Sequence, residues 1–288
     1  MLEHLPVRGF WMRLDSAWRE LRSHQHYVPS VETLLGEAVS ASVLLAATLK
    51  FQGTLTLQLA GDGLVSLLVA QCTHDFAIRA VARTTATIEG EPDFRALVGA
   101  GRLSVTIEAD ERAARHQGIV ALEGRTLAAC IENYFASSEQ LPTRIALAAN
   151  RERTGGVLLQ NLPHSGSGRS LEPISEAAWE SLGSRVAALD GPLLLLGTAE
   201  EVLQRVCGEH DCRLFARSPV RFVCRCDPAR VQSVLRSLGV DELRSILAEQ
   251  GAVDVTCEFC GRPYKFDAID VERLFAIGAS PETPPSLN

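Results

Sequence analysis

Four cysteines towards the end of the sequence constrain this chain more than any other feature. They form two close pairs, Cys224-x-Cys226 and Cys257-x-x-Cys260, with thirty residues between them. Four thiolates on two separate turns can meet at one tetrahedral Zn²⁺ and leave no coordination position open. The pattern therefore predicts one zinc site per chain, held by these four cysteines, with a structural or sensory role and no hydrolytic one.

The residues around the two pairs indicate a small mixed module. Gly261 suits a tight turn in which backbone N–H groups face the sulfurs. Asp227, followed by proline, predicts the N-cap of a helix that Gly239 ends, and Asp241 predicts the cap of a second helix that Gly251 ends. The pattern then predicts a strand over 252–256, a returning strand over 264–266 and a last helix that begins at Asp267.

Two other roles for these cysteines are open from the residues alone. About sixty-five residues cannot build much core, so a metal that only staples the module is the simpler interpretation. The Cys257-x-x-Cys260 pair by itself is also typical of a thioredoxin-type site. That motif belongs between a strand and a helix of a βαβ unit, which the surrounding pattern does not predict.

Length, charge and cysteine usage bound the class of protein. At 288 residues the chain predicts a large core with a satellite module. A net charge of −7 argues against a nucleic-acid surface, because phosphate-binding zinc modules are usually basic. We expect no signal peptide, since residues 1–11 lack an apolar run, and no stretch that approaches a membrane span. A cytoplasmic protein follows, in which eight cysteines indicate metal or redox chemistry in preference to a disulfide framework.

The part of the chain before the cysteine pairs predicts an α+β fold with a large, mostly antiparallel sheet and packed helices. Pro29 begins the most apolar helix, with Ser30 as its expected N-cap and small residues, among them Gly36 and Ser40, that permit close packing. Gly61-Asp62-Gly63 predicts a hairpin turn in which the glycines supply positive φ. Strands are predicted over 10–14, 54–60, 64–70, 76–83, 102–109, 118–122, 144–149 and 155–163.

No catalytic constellation is visible in that region, so we expect a protein that is not an enzyme. Cys72 and Cys130 are isolated and predict buried, apolar-type cysteines. His24 and His26 lack a neighbouring carboxylate or cysteine and predict solvated loop residues.

A Ser/Gly-rich stretch over 164–170 predicts a domain boundary, and the short apolar helical segments that follow need docking to be ordered. The predicted organisation is a core domain over 1–168, a helical linker over 169–219 and a zinc module over 220–288. Cys207 and Cys212 close the linker with His210 between them. They allow a second metal site, an auxiliary thiol switch or, more simply, two unpaired cysteines.

Several motifs, taken together, resemble the thirty-three-kilodalton heat-shock protein family of redox-regulated chaperones. The zinc segment resembles the family in Val220-Arg221-Phe222, the two cysteine pairs, Gly261 and Tyr264-x-Phe266-Asp267. The core resembles it in the stretches 53–63, Ser138-Glu139-Gln140-Leu141-Pro142-Thr143 and 155–160. The resemblance covers nearly the whole chain, and the order of the motifs makes it specific.

The resemblance implies a stress-response holdase in the cytoplasm without turnover chemistry. It implies one Zn²⁺ per chain in an inactive reduced state, and oxidation to the disulfides Cys224–Cys226 and Cys257–Cys260 with loss of zinc and unfolding of the linker. It further implies that the oxidised protein forms a homodimer, binds unfolded client proteins, and hands them to ATP-dependent foldases after reduction. Cys207 and Cys212 have no counterpart in this pattern. The alternative is a zinc-stabilised RNA- or ribosome-binding module, which would need a basic face with interleaved aromatics.

Overall fold

The computed structural model describes residues 1–23, 25–109, 115–163 and 173–276. The chain divides into two compact units, Met1–Val223 and Cys224–Asn288. His24 and the Ser/Gly-rich stretch over 164–170 lie outside the described residues, as does the predicted boundary at 168 and 169. The division into core, linker and zinc module therefore stays a prediction.

Both units contain strands and helices. The strands are β1 (Val7–Leu14), β2 (Gly53–Gly61), β3 (Val65–Thr73), β4 (Ala77–Thr84), β5 (Gly101–Ala109), β6 (Arg115–Ala121), β7 (Thr143–Ala149), β8 (Thr154–Asn161), β9 (Arg221–Phe222), β10 (Val253–Thr256) and β11 (Pro263–Phe266). The helices are α1 (Ser16–Arg22), α2 (Pro29–Thr48), α3 (Phe94–Val98), α4 (Leu127–Tyr134), α5 (Glu176–Ala187), α6 (Gly191–Leu196), α7 (Ala199–Cys207), α8 (Pro228–Leu238), α9 (Val240–Gln250) and α10 (Ala268–Ala276), with one π-helical turn over Phe135–Glu139.

Two sheets form the first unit. The larger sheet has the strand order β6-β5-β2-β3-β4-β9, and all its pairs are antiparallel except the short parallel pair of β4 with β9. The smaller sheet, β1-β8-β7, is antiparallel throughout. The predicted α+β class with a mostly antiparallel core is confirmed, although the sequence did not separate the strands into two sheets.

Helix α2 contacts strands of both sheets and forms the centre of the first unit. Our expectation that no stretch approaches a membrane span was wrong for this helix, because its twenty residues are long and apolar enough to cross a membrane. Within the apolar window 83% of the helix is buried in the protein, and a central core helix meets the same criteria of length and composition. Ser30 does not cap it, since the helix already begins at Pro29 with Val28 at the N-cap position.

Small residues let α2 approach the smaller sheet closely, as the sequence predicts. The Ser40 and Thr154 hydroxyls lie 2.6 Å apart, and the Thr154 hydroxyl donates to the Gly36 carbonyl at 2.7 Å. A Cβ atom on Gly36 would stand 2.5 Å from the Cβ of Ala149. This contact therefore needs glycine because of space.

The hairpin of β2 and β3 forms as predicted, but for a different reason. Neither Gly61 nor Gly63 has a positive φ. A Cβ on Gly61 would instead lie 2.0 Å from the Val98 carbonyl oxygen, and a Cβ on Gly63 would lie 2.6 Å from the Leu97 carbonyl oxygen. The positive φ belongs to Gly99, in the facing loop. Both positions require glycine because the backbone of residues 97–98 comes close to them. The turn sequence alone does not reveal this contact.

The smaller sheet separates two hydrophobic clusters. Along β8, Leu158 joins the main cluster with α2, whereas Val157 and Leu159 join a second cluster on the opposite face, as the two-residue period of a strand requires. Helices α5 to α7 cover that opposite face. The second cluster consists of Leu2, Val7, Val157, Leu159, Trp179, Leu182, Val186, Leu189, Leu194, Val202, Val206 and Cys207.

The second unit has a small core of its own, formed by α8, α9, α10 and the β10-β11 hairpin. Its buried cluster consists of Leu235, Leu243, Val253, Phe266, Val271 and Leu274. Asp241 does not cap α9. Gly239, with φ of 91°, ends α8 and is itself the N-cap of α9, so Asp241 lies in the first turn, where its charge still suits the helix dipole.

Gly63→Ala tests the close approach at the hairpin. We expect it to lower the free energy of unfolding of the first unit by about 1–3 kcal/mol, because the new methyl group meets backbone atoms that cannot turn away. Urea titration followed by tryptophan fluorescence measures this, since Trp11, Trp18 and Trp179 all belong to the first unit. Gly191→Ala is the matched control, because nothing lies within 4 Å of its Cβ position. Equal stability of the two variants would contradict the interpretation.

Candidate metal centre

The first cysteine pair stands between a short strand and a capped helix. Cys224 follows β9 by one residue. Immediately after Cys226, the Asp227 carboxylate accepts a hydrogen bond from the Arg230 backbone N–H at 2.8 Å and begins α8, as the sequence predicts. The cap fixes the chain direction directly after the second sulfur.

The second pair lies at the tip of the β10-β11 hairpin. The Cys257 N–H donates to the Arg262 carbonyl at 3.0 Å, and the Gly261 N–H donates back to the Cys257 carbonyl at 2.7 Å. Gly261 has a φ of 65°, which favours glycine, so the predicted tight turn is present. The hairpin thereby holds Cys257 and Cys260 in one turn.

These elements bring the four sulfur atoms together, all within 4.8 Å of one another. The separation is 3.3 Å for Cys224 and Cys226, 3.6 Å for Cys224 and Cys257, and 3.2 Å for Cys226 and Cys260. A disulfide would need about 2.05 Å, so the four thiols are not bonded in pairs. Tetrahedral sites with metal–sulfur bonds of about 2.3 Å place their sulfurs about 3.8 Å apart, which is close to the observed arrangement.

The surroundings of the sulfurs supply hydrogen bonds. The Cys226 backbone N–H lies beside the Cys224 sulfur and the Arg262 backbone N–H beside the Cys260 sulfur, where each favours the thiolate. The Tyr264 hydroxyl donates to the Cys226 carbonyl at 2.7 Å and lies beside that thiol. The sequence predicted the N–H groups of the turn but missed the tyrosine, because its contact joins residues 38 positions apart. Such donors lower the charge density on sulfur and orient the ligands.

The thiols differ in their tendency to ionise. Burial, followed by the neighbouring thiols, raises the pKa of Cys224, and burial raises the pKa of Cys260. Burial also opposes ionisation of Cys226, but polar contact with Tyr264 and with the other three thiols outweighs it and lowers the Cys226 pKa to about 7. The quartet thus accepts one negative charge readily. Four charges at this spacing require a cation to balance them.

The donor set therefore fits one metal ion that takes four soft sulfur ligands and leaves no position for water. In the part of the chain that the structure describes, this is the one place where three or more His, Cys, Asp or Glu side chains converge in this way. The four cysteines are placed to bind a metal ion. A closed site of this kind is structural or sensory.

The other cysteines and histidines do not join it. Cys72 and Cys130 are buried in the main hydrophobic cluster, as the sequence predicts. Cys207, His210 and Cys212 do not converge as a metal-binding group among the described residues, so the structure gives no support to a second metal site. His26 is exposed.

Comparison with known proteins places this arrangement in a family. The profile of the family described as "Hsp33 protein" matches residues 1–267. A protein named "33 kDa chaperonin" from Shewanella woodyi is 40% identical over 283 residues, covering 98% of this chain and 96% of that protein. The 33 kDa chaperonin of Pseudomonas aeruginosa is 40% identical over 287 residues, covering 99% and 95%.

The fold agrees with a solved structure. The crystal structure of the 33 kDa chaperonin of Thermotoga maritima, a heat shock protein 33 homologue, superimposes with a TM-score of 0.81 at 24% identity and covers 96% of each chain. The profile match and the 40% identity extend over nearly the whole sequence. This chain therefore belongs to the Hsp33 protein family.

Proposed function

We propose that this protein is a redox-regulated holdase, a chaperone that binds unfolded proteins after its four clustered cysteines are oxidised. The names of its relatives and its membership of the family support the chaperone function. The observation that carries the redox switch is the convergence of four sulfurs within 4.8 Å, in a unit with only a small core of its own.

Zinc is the metal that we propose for the site. Tetrahedral sulfur sites of this size hold zinc or iron–sulfur clusters, and the 3.2–3.6 Å sulfur separations suit a single ion. When bound, one zinc per chain holds the four thiolates and contributes about 10–16 kcal/mol to the folding of a small unit at neutral pH. The ligands are Cys224, Cys226, Cys257 and Cys260.

The second unit depends on this cluster because its core is small. Its buried cluster contains six hydrophobic side chains. Val234, Leu238 and Ile269 remain more than half exposed. Below about 70 residues, a core rarely supplies more than about 3–5 kcal/mol, so such units usually need a metal or disulfides. Loss of the sulfur ligands therefore unfolds the unit.

Oxidation removes those ligands. We propose that the bonds formed are Cys224–Cys226 and Cys257–Cys260, each from two thiols and one peroxide molecule with release of two water molecules. The pairing follows the family resemblance. Sulfur distances do not select it, because Cys226 lies as near to Cys260 as to Cys224. Three of the four thiols are only half-buried, so a small oxidant can reach them.

We propose that undocking of the helical linker uncovers the client-binding surface. Helices α5 to α7 cover the second hydrophobic cluster, which is separate from the main one. The linker helices can therefore leave the sheet without opening the main core. Their departure would expose Trp179, Leu182 and Val186 together with Val157 and Leu159 of β8. An apolar surface of this kind binds unfolded chains by hydrophobic contact.

Between the linker helices and the first metal-centre cysteine, the chain passes through β9. This strand has only two residues and is held by its pairing with β4. The Val223 N–H also donates to the Ile78 carbonyl at 3.1 Å, and Arg221 forms an ion pair with Asp75. Unfolding of the unit that begins at Cys224 would leave β9 attached to an unfolded chain and held only by these few contacts. A shift from mostly docked to mostly undocked needs about 5.5 kcal/mol, which is less than the contribution of the metal.

The remaining assignments follow the same proposal. The oxidised protein forms a homodimer, holds unfolded clients, and passes them to ATP-dependent foldases after reduction, in the cytoplasm and without a nucleic-acid or membrane partner. The competing proposal, an RNA- or ribosome-binding zinc module, is disfavoured by the net charge of −7. Salt-dependent retention of the reduced protein on RNA would favour that competitor.

Cys260→Ser tests the metal assignment. We expect this variant to contain much less than one zinc per chain, because one of four ligands becomes a hydroxyl that stays protonated. Elemental analysis of the purified reduced protein measures the zinc content. Cys212→Ser, an exposed cysteine outside the cluster, is the control and should retain one zinc per chain. Full zinc content in Cys260→Ser would refute the assignment.

Light scattering of a heat-unfolding client tests the switch. We expect the peroxide-treated protein to suppress aggregation and the reduced protein to leave it unchanged, with zinc released in step with activity. Treatment with a reductant and zinc should reverse both changes. Equal suppression before and after oxidation would overturn the proposal of redox control and leave a constitutive chaperone.

Trp179 gives a direct signal for undocking of the linker. Its side chain is 8% exposed on α5, with the Arg144 guanidinium 5.7 Å from its ring centroid. We expect oxidation to shift tryptophan emission to longer wavelength as this ring meets water. In Trp179→Phe, the shift should become smaller, while binding of an apolar fluorescent dye should still increase. An emission spectrum that oxidation leaves unchanged would show that α5 stays docked.

A further inference from the structure

Two cysteines outside the metal centre lie together at the end of the linker. Helix α7 ends at Cys207, and Gly208, with φ of 61°, turns the chain back. The His210 N–H donates to the Cys207 carbonyl at 3.1 Å, which closes a tight turn. Cys212 leaves this turn beside Cys207, and both cysteines line the same cavity.

Backbone pairing holds this turn in place. Cys212 forms an antiparallel bridge with Leu2. The Arg213 N–H donates to the Met1 carbonyl at 2.9 Å, and the Glu3 N–H donates to the Asp211 carbonyl at 2.9 Å. Leu2 belongs to the second hydrophobic cluster, as Cys207 does. Cys212 is therefore paired with a residue of the same hydrophobic cluster in which Cys207 is buried.

The two thiols differ in access. Cys212 is exposed, whereas Cys207 is 6% exposed. Burial and then the adjacent Cys212 thiol raise the pKa of Cys207 to about 12, so Cys207 remains a thiol at neutral pH and is not the first site of oxidation. The Arg185 guanidinium packs against Gly208, where a Cβ would stand 2.2 Å from it, and is one of the cations near Cys207.

We propose that Cys207 and Cys212 are a second redox site, which forms an intrachain disulfide when the protein meets peroxide. The Cys212 sulfur attacks the peroxide, the O–O bond breaks, and a sulfenic acid and one water molecule form. The Cys207 sulfur then attacks the sulfenic sulfur, loses its proton, and releases a second water molecule. Two thiols and one peroxide thus give one disulfide and two water molecules.

The bond would tie the end of α7 to the segment that pairs with residues 1–3. If the proposed function holds, this restrains the last linker helix, so oxidation here would oppose the release that oxidation of the metal centre causes. Formation of the bond itself does not depend on chaperone activity. A measurement of the bond therefore separates this inference from the proposed function.

Peptide mass mapping of the full-length protein tests the inference. Cleavage after Arg205 and Arg213 gives one peptide, 206–213, that contains both cysteines and none of the metal-centre cysteines. The protein is treated with hydrogen peroxide, free thiols are alkylated in denaturant, and the protein is digested. The reduced protein should give the peptide with two alkyl groups. The oxidised protein should give it with none and with the mass of two hydrogen atoms missing.

Two variants identify the roles of the sulfurs. In Cys212→Ser, the buried Cys207 should remain alkylatable after the same peroxide dose. In Cys207→Ser, the exposed Cys212 should accumulate a sulfenic acid that dimedone traps, because its resolving partner is gone. The inference is overturned if the wild-type peptide keeps two alkyl groups at a peroxide dose that oxidises the metal-centre peptides. It is also overturned if Cys207 or Cys212 is bonded mainly to a metal-centre cysteine.

Discussion

The mutual approach of four sulfur atoms is the interaction on which the C-terminal unit depends. They come from a turn after β9 and from the tip of the β10-β11 hairpin, and α8 and α9 lie between those two points in the chain. Neutral thiols at this spacing attract one another weakly, and thiolates repel. Four thiolates in this arrangement therefore need a positive charge at their centre. If the proposed function holds, a small unit built in this way would fold or unfold according to the state of its cysteines.

The candidate site was largely predictable because its information is local. Spacing alone identified the four cysteines, and Asp227 and Gly261 indicated the cap and the turn that hold them. The contribution of Tyr264 was not predictable, because its hydroxyl reaches Cys226 only after the hairpin and α8 have come together. The contact of Cys207 with Cys212 was suggested by proximity in sequence, but the role of Leu2 in holding Cys212 was not.

The fold was predictable where a hydrophobic period or a helix cap determines a single element. It was less predictable where elements distant in sequence come into contact. Alternation identified most strands, and the apolar pattern identified α2. The glycines at the β2-β3 turn were predicted for the wrong reason, since the facing residues Val98 and Leu97 demand them, not the turn. Similarly, α2 has the composition of a membrane span because it is covered on most sides by two sheets. Composition reports that a helix is buried, but not what surrounds it.

Because β8 separates the two hydrophobic clusters, one face of the smaller sheet can be uncovered and covered again. Leu158 is packed into one cluster while its neighbours Val157 and Leu159 face the other, so one strand serves both. Because β8 is paired on both edges, with β1 and β7, removing the helices from one of its faces would leave the sheet intact. Helices that return would pack against the same side chains, Val157 and Leu159. If the linker helices open as proposed, they can return to the same sheet while the larger sheet and its core stay folded.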